Sequence, residues 1–288
     1  MKKQWIGLAL SLVGVPFCLS WMSGCGNDDA SSTSCSLTNN TTEGAVSSNG
    51  CALLTRDTSS CQASRTAQGL SGFWLKFSCR VTLTKTGSNV ILTSDGQPDH
   101  KSAYFSKTNA CYAEGFPTGR SANPNTLATQ SISMTVPYSP STTGGSTGTA
   151  MSMGTVGLAI NGVAIFSNAA APGDNIYTEV ATFDKCEGHP AGTKYHYHTE
   201  PTTATNSDAN FIGVMRDGFP IYGRYDSGNV TPTLNLASTG GHSGTTVDSP
   251  SSAVNHYHVN LQTSGANSAY FITSGYYMGT AGSCTGCN

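Results

Sequence analysis

The 288-residue chain carries only 14 Lys+Arg and 16 Asp+Glu, about one residue in ten where soluble domains usually have about a quarter. With 33 Gly, 12 Pro and long Ser/Thr/Asn stretches, it reads as short strands and turns and argues against a helical bundle or coiled coil. A formal net charge of −2 without a basic cluster offers nothing to a phosphate backbone, so nucleic acid is not an expected partner.

Lys2 and Lys3 precede an apolar run over residues 5–19, interrupted by Gly14 and Pro16. That pattern predicts a secretory signal peptide over residues 1–24, because the run is too short and too broken to span a bilayer. Ser23 and Gly24 before Cys25 resemble a bacterial lipobox, with Met22 where Leu is usual, and imply cleavage before Cys25 and lipidation of its thiol. Cys18 is the rival acceptor, but bulky Phe17 precedes it. No Asp follows Cys25, which by resemblance to sorted lipoproteins implies an outer-membrane lipoprotein facing the periplasm or the cell surface. The expected membrane contact is that lipid alone. Residues 25–49, rich in Ser, Thr, Asn and Asp, are expected to be a flexible tether to a domain over residues 50–288.

The remaining cysteines are Cys35, Cys51, Cys61, Cys79, Cys111, Cys186, Cys284 and Cys287. An even set in an exported chain predicts disulfides, though eight cysteines allow 105 connectivities and sequence does not choose among them. Cys284 and Cys287 have redox-motif spacing, but no helix follows to lower a thiol pKa, so stapling is the expectation.

Along the domain, residues 74–84 and 89–93 read as strands joined by a turn at residues 85–88, and residues 132–136 read as a further strand before a polar loop over 138–149. A near-repeat follows. The segment from Val156 to Phe166 aligns without gaps on that from Ile212 to Tyr222, each with Asn-Gly or Asp-Gly between apolar stretches, the signature of a hairpin with a type I′ turn. Asp95, Asn161 and Asp217, each before a Gly, are therefore expected in turns rather than as catalytic acids. Downstream of each hairpin come a Gly-His and a His-Tyr-His: Gly188-His189 with His196-Tyr197-His198, then Gly241-His242 with His256-Tyr257-His258. The repeat units span about 156–198 and 212–258, with a long polar loop expected over residues 226–253. The expected fold is all-β: one β-sandwich-like domain with an internal duplication, disulfide-stapled, with long polar loops.

Residues two apart on a strand face the same side, so His196 and His198 project together, as do His256 and His258, while Tyr195 and Tyr197 face a core. Paired imidazoles are costly to bury without partners. With Asp184, Glu187 and Glu200 nearby as carboxylate ligands or bases, they form a set suited to a divalent transition metal such as zinc or copper. The expected sites are His196 and His198 with His189 or His100, and His256, His258 and His242. The alternatives are a metal-dependent hydrolase or oxidase on the same scaffold, and a non-catalytic surface module with structural histidines. No Gly-x-Ser-x-Gly elbow supports a serine nucleophile.

Lys194-Tyr195-His196-Tyr197-His198, the preceding residues 184–190 and the following residues 217–223 closely resemble the YHYH family of exported bacterial proteins. Residues 92–100 and 123–126 are similar to that family's earlier motifs, so the resemblance runs over roughly residues 90–288 and brings in His100. It implies a class without a settled activity. It also implies that Cys186 pairs near the C-terminus, with Cys284 or Cys287. The second unit departs from the pattern, with Asn255 where the first has Tyr195, and Asn235 and Ala237 in place of Asp184 and Cys186.

Overall fold

The computed structural model describes residues 34–37, 40–143, 148–202, 210–234 and 238–287. The signal segment, Cys25, Asn235 and Ala237 lie outside the described residues.

The chain folds as an all-β protein. β1 (Asn40–Val46) and β2 (Ala52–Arg56) form an antiparallel ribbon, and Cys35 is disulfide-bonded to Cys111. The expected tether is thereby corrected: from Cys35 onward the chain is tied to the domain by a covalent bond and by backbone pairing. A short helix α1 (Gln62–Ala67) and a 3₁₀ turn at Gly72–Lys76 follow. The expected strand beginning at residue 74 is absent there. Trp74 and Phe77 sit at helical rather than alternating spacing, their rings stacking at 6.2 Å. β3 (Thr82–Thr86), β4 (Asn89–Ser94) and β5 (Ile132–Pro137) then form an antiparallel sheet, the last two at the expected strands over 89–93 and 132–136.

β6 (Thr149–Ala150) leads into β7 (Thr155–Ala159) and β8 (Ala164–Phe166), then α2 (Ile176–Glu179) with a 3₁₀ turn at Val180–Thr182, then β9 (Gly188–Ala191) and β10 (Lys194–Tyr197). β11 (Phe211–Met215), β12 (Pro220–Tyr222), β13 (Gly241–Thr246) and β14 (Ser249–His258) complete an eight-stranded sheet. β13 and β14 take up residues 241–246 and 249–253 of the loop expected over residues 226–253. Their stretch to Asn255 is polar and half exposed, so it lacks the alternation that marks a strand in sequence. β15 (Asn260–Ser264) and β16 (Asn267–Phe271) form a hairpin, β17 (Tyr276–Tyr277) pairs with β6, and β18 (Cys284–Thr285) extends the four-stranded sheet beside β5.

The large sheet runs β13-β14-β12-β11-β7-β8-β10-β9. The same pairing scheme lies on each side of the antiparallel β7–β11 contact, where Leu158 faces Val214. Each half has an antiparallel hairpin (β7–β8, β11–β12), a parallel return (β8–β10, β12–β14) and an antiparallel outer strand (β9, β13). Ile165 thus pairs with Tyr197, and Ile221 with Tyr257.

Both hairpin turns differ from the expected type I′. Gly162 (φ 90°) and Gly218 (φ 87°) adopt the left-handed conformation, but Asn161 and Asp217 before them do not. The Gly162 and Gly218 amides donate to Ala159 and Met215 carbonyls, giving three-residue loops that close as a type I turn with a glycine bulge. A Cβ on Gly162 would lie 2.5 Å from Ser94 Oγ, and one on Gly218 2.4 Å from the Pro137 carbonyl. These turns thus pack against the small sheet, and Val90, Leu92, Met134 and Val136 share one core with Leu158, Ile165, Val214 and Ile221.

The cysteines pair as Cys35–Cys111, Cys51–Cys186, Cys61–Cys79 and Cys284–Cys287. Pairing of Cys186 with the C-terminus is thereby corrected. Leu53 bridges to His100 and the Lys101 amide donates to Ala52, which brings Cys51 beside Cys186, whereas β18 is taken up by β5.

Candidate functional site

β10 and β14 place the two His-Tyr-His motifs at corresponding positions of the sheet, and β9 and β13 supply a third histidine opposite each. His189 is paired with His196 and His242 with His256. The expected alternation holds. His196, His198, His256 and His258 project on one side, while Tyr195, Tyr197 and Tyr257 are core residues. The hydroxyls of those tyrosines are bonded on the core side: Tyr195 donates to Asp184 (2.8 Å), Tyr257 donates to Asp217 (2.5 Å), and Tyr197 accepts from Asn161 (3.1 Å). Asn161 and Asp217, the turn residues of the two hairpins, are thereby the anchors of the two central tyrosines.

Two three-histidine groups result, His189/His196/His198 and His242/His256/His258, both buried. Within the groups the ring centroids are 4.5 Å (His189–His196), 4.7 Å (His196–His198), 4.5 Å (His242–His256) and 4.7 Å (His256–His258). Asp226 joins the second group, its Oδ1 lying 3.1, 3.2 and 3.2 Å from the Nε2 atoms of His242, His256 and His258. Glu179, at the end of α2, stands at the first group, 3.6 Å from His189 Nε2 and 3.7 Å from His198 Nε2.

The backbone fixes the ring protons. His196 Nδ1 lies 3.0 Å from the Lys194 carbonyl, His198 Nδ1 2.6 Å from that of Ser167, His256 Nδ1 2.8 Å from that of Val254 and His258 Nδ1 2.6 Å from that of Gly223. A carbonyl only accepts, so each Nδ1 carries the proton and donates. His189 Nδ1 lies 2.7 Å from Thr182 Oγ1, whose own proton goes to the Glu179 carbonyl, so it too donates. The Nε2 atoms of these five rings therefore present lone pairs.

Those lone pairs converge. His196 and His198 Nε2 are 3.0 Å apart and His256 and His258 Nε2 2.8 Å, and the Nε2 of the sixth ring, His242, lies 3.0 Å from that of His256. His189 Nε2 is buried with no hydrogen-bond partner among the described residues. Two acceptors at such a distance repel unless a cation lies between them, and protonation is opposed: burial pushes His189 down to about 3, His198 and His256 to about 4, and His196 and His258 below their usual range. The spacing matches a coordination shell. A tetrahedron with bonds of about 2.0 Å to nitrogen has edges of about 3.3 Å, and the second group supplies four corners, with five of the six edges at 2.8–3.2 Å.

The other sequence candidates lie elsewhere. His100 is buried on the far side of β10, with Nδ1 at the Lys101 carbonyl and Nε2 facing the Tyr197 hydroxyl at 3.3 Å, so it is not the third histidine. It does lie near Cys51 and Cys186, but those sulfurs are bonded to each other. Asp184 accepts from Ser102, Tyr195 and the amides of Cys186 and Gly188. Glu187 pairs with Arg120 at 3.0 Å and Glu200 with Arg224 at 2.7 Å, which takes both away from the rings. Burial raises the Glu187 carboxyl despite that pairing, and raises Glu179 as well. Sequence reasoning missed Asp226 and Glu179. Asp226 follows Gly223-Arg224-Tyr225 just after β12, and closeness to a strand end was the only signal for it.

No curated protein and no solved structure matches the chain. A family model described as YHYH protein matches residues 133–279, half of the chain, and that stretch holds both histidine groups. With the motif in place at Tyr195-His196-Tyr197-His198, the chain belongs to the YHYH protein family.

Proposed function

We propose that this is an exported cell-envelope lipoprotein, anchored through Cys25, whose two three-histidine groups arose by duplication and each hold a divalent transition metal, zinc or copper. The observation that carries the reading is the convergence of Nε2 lone pairs on His196, His198, His256 and His258, whose tautomers are set by backbone carbonyls. A bracing role for the histidines calls for rings hydrogen-bonded at both nitrogens and set apart; here they lie within ligand distance, and His189 Nε2 has no hydrogen bond among the described residues. Nitrogen with a single carboxylate suits zinc or copper and suits magnesium poorly.

Elemental analysis of the protein, purified without chelator or metal-affinity resin, tests this. Two equivalents of a transition metal are expected. Metal-stripped protein that regains no tightly bound divalent ion, or a His196→Ala/His198→Ala variant that binds as much metal as the parent, refutes it.

A further inference from the structure

The two groups are not alike in what surrounds them. Around the second, Asp226 completes four protein donors. Around the first, Glu179 Oε2 stands 3.6 and 3.7 Å from the Nε2 atoms of His189 and His198 and is not part of the mutually close set formed by the three histidines, and all three rings line a cavity of about 370 Å³. Met153, Gly154, Phe166 and Ala191 line both this cavity and a second one of about 390 Å³, so the two are contiguous past Phe166. Phe166 stacks on His196 at 3.8 Å, and Met153 is 49 % exposed at the shared wall. Ala169 and Ala171 continue the apolar lining.

Resting on the metal reading above, we propose that the first centre keeps one coordination position open to this groove, while the second is closed. Its ligand is a small molecule with an oxygen or nitrogen donor head on the metal and an apolar chain along Phe166 and Met153. Three protein donors with an open fourth position is the arrangement of sites that bind exogenous ligands, and four protein donors that of structural ones. Phe166, Met153 and Ala191 form an apolar strip along a groove whose remaining lining includes Asn123, Asp174, Gln130 and Lys194, and such a strip leading away from the metal end orients such a molecule.

The full-length protein loaded with two equivalents of cobalt(II) gives the test, using azide and then alkyl hydroxamates of rising chain length as probes. One azide per two cobalt ions is expected, with half the visible spectrum responding. Hydroxamate affinity is expected to rise about fourfold for each buried methylene. Met153→Asp is expected to flatten the chain-length dependence; His196→Gln is expected to abolish the azide response. Azide binding at both cobalt ions or at neither, with two cobalt ions held, overturns this inference and leaves the metal reading standing. So does a chain-length dependence that is absent or survives Met153→Asp. A protein that takes up no cobalt overturns the metal reading and this inference with it.

Discussion

Metal-free protein is expected to lose stability steeply between pH 7 and pH 5. In the folded chain His189 is held at about 3 and His198 and His256 at about 4, burial being the main cause, against 6.5 when unperturbed. All three folded values are lowered, so below pH 6.5 the unfolded chain binds protons that the folded chain refuses. Stability is full above the unfolded value and falls as the pH drops toward the folded one. At about 1.4 kcal/mol per pH unit per proton, each ring withdraws nearly 2 kcal/mol by pH 5 and the three together about 5 kcal/mol. Asp217 opposes them. Burial raises it to about 6 from 3.8, so its folded form takes the proton first and returns about 1 kcal/mol over the same interval. Glu179, also raised by burial, acts in that direction, while His196 and His258 add to the loss. The balance is about 4 kcal/mol, or about 8–16 °C in Tm for a domain of this size. Urea unfolding of chelator-treated protein at pH 7, 6 and 5, at constant ionic strength, measures it. A stability that is flat or rises on acidification refutes the buried neutral rings, and with them the lone-pair argument for the metal.

Three further outcomes follow from the geometry. Filling each centre with zinc at about 1,000 times its Kd is expected to add about 4 kcal/mol, read as a Tm rise that a chelator reverses. Tyr257→Phe leaves Asp217 and the Met278 amide without their buried partner at 2.5 and 2.7 Å; the expected cost is about 1–3 kcal/mol in urea unfolding, with both metals retained on elemental analysis. Replacing Cys51 and Cys186 together by Ala opens a loop spanning 135 residues, with an expected loss of about 2–5 kcal/mol by the same assay.

The histidine groups were legible because strand geometry has period two: once His196 and His198 lie on a strand, their shared face follows, and the Gly-His before each motif supplies the facing ring through ordinary antiparallel pairing. The carboxylates were not legible, because sequence proximity misled. Glu187 and Glu200 flank the first motif, yet Arg120 and Arg224, remote in sequence, draw them away. Asp184 was drawn inward by the Tyr195 hydroxyl and two amides. The turn type was misread for a related reason. Asn-Gly permits type I′, but Asn161 and Asp217 accept hydrogen bonds from their central tyrosine or from the amide two residues on without adopting positive φ. β13 and β14 were hidden because their outer halves are polar on both faces, leaving no alternation to read.

The unequal carboxylates set a last prediction, which separates the two centres. Asp226 is a short side chain on a loop closed by reciprocal pairing with Val230, and it begins three residues beyond Gly223, whose carbonyl holds His258. Its Oδ1 is thereby pinned at 3.1–3.2 Å from all three rings of its group. Glu179 has a longer side chain and ends a single helical turn, α2, capped at its start by the Asn175 side chain on the Tyr177 amide. It therefore reaches the cavity wall without entering the nitrogen set. Asp226→Ala removes a ligand, so the second centre is expected to lose more affinity than the about 10- to 100-fold that follows loss of an outer-shell partner, releasing one of the two metals to a weak chelator. Glu179→Ala removes only a neighbour, and the first centre is expected to keep its metal within about tenfold. Competition titrations on the two variants and the parent give both numbers. Equal losses at the two centres would contradict the assignment of one as closed and the other as open.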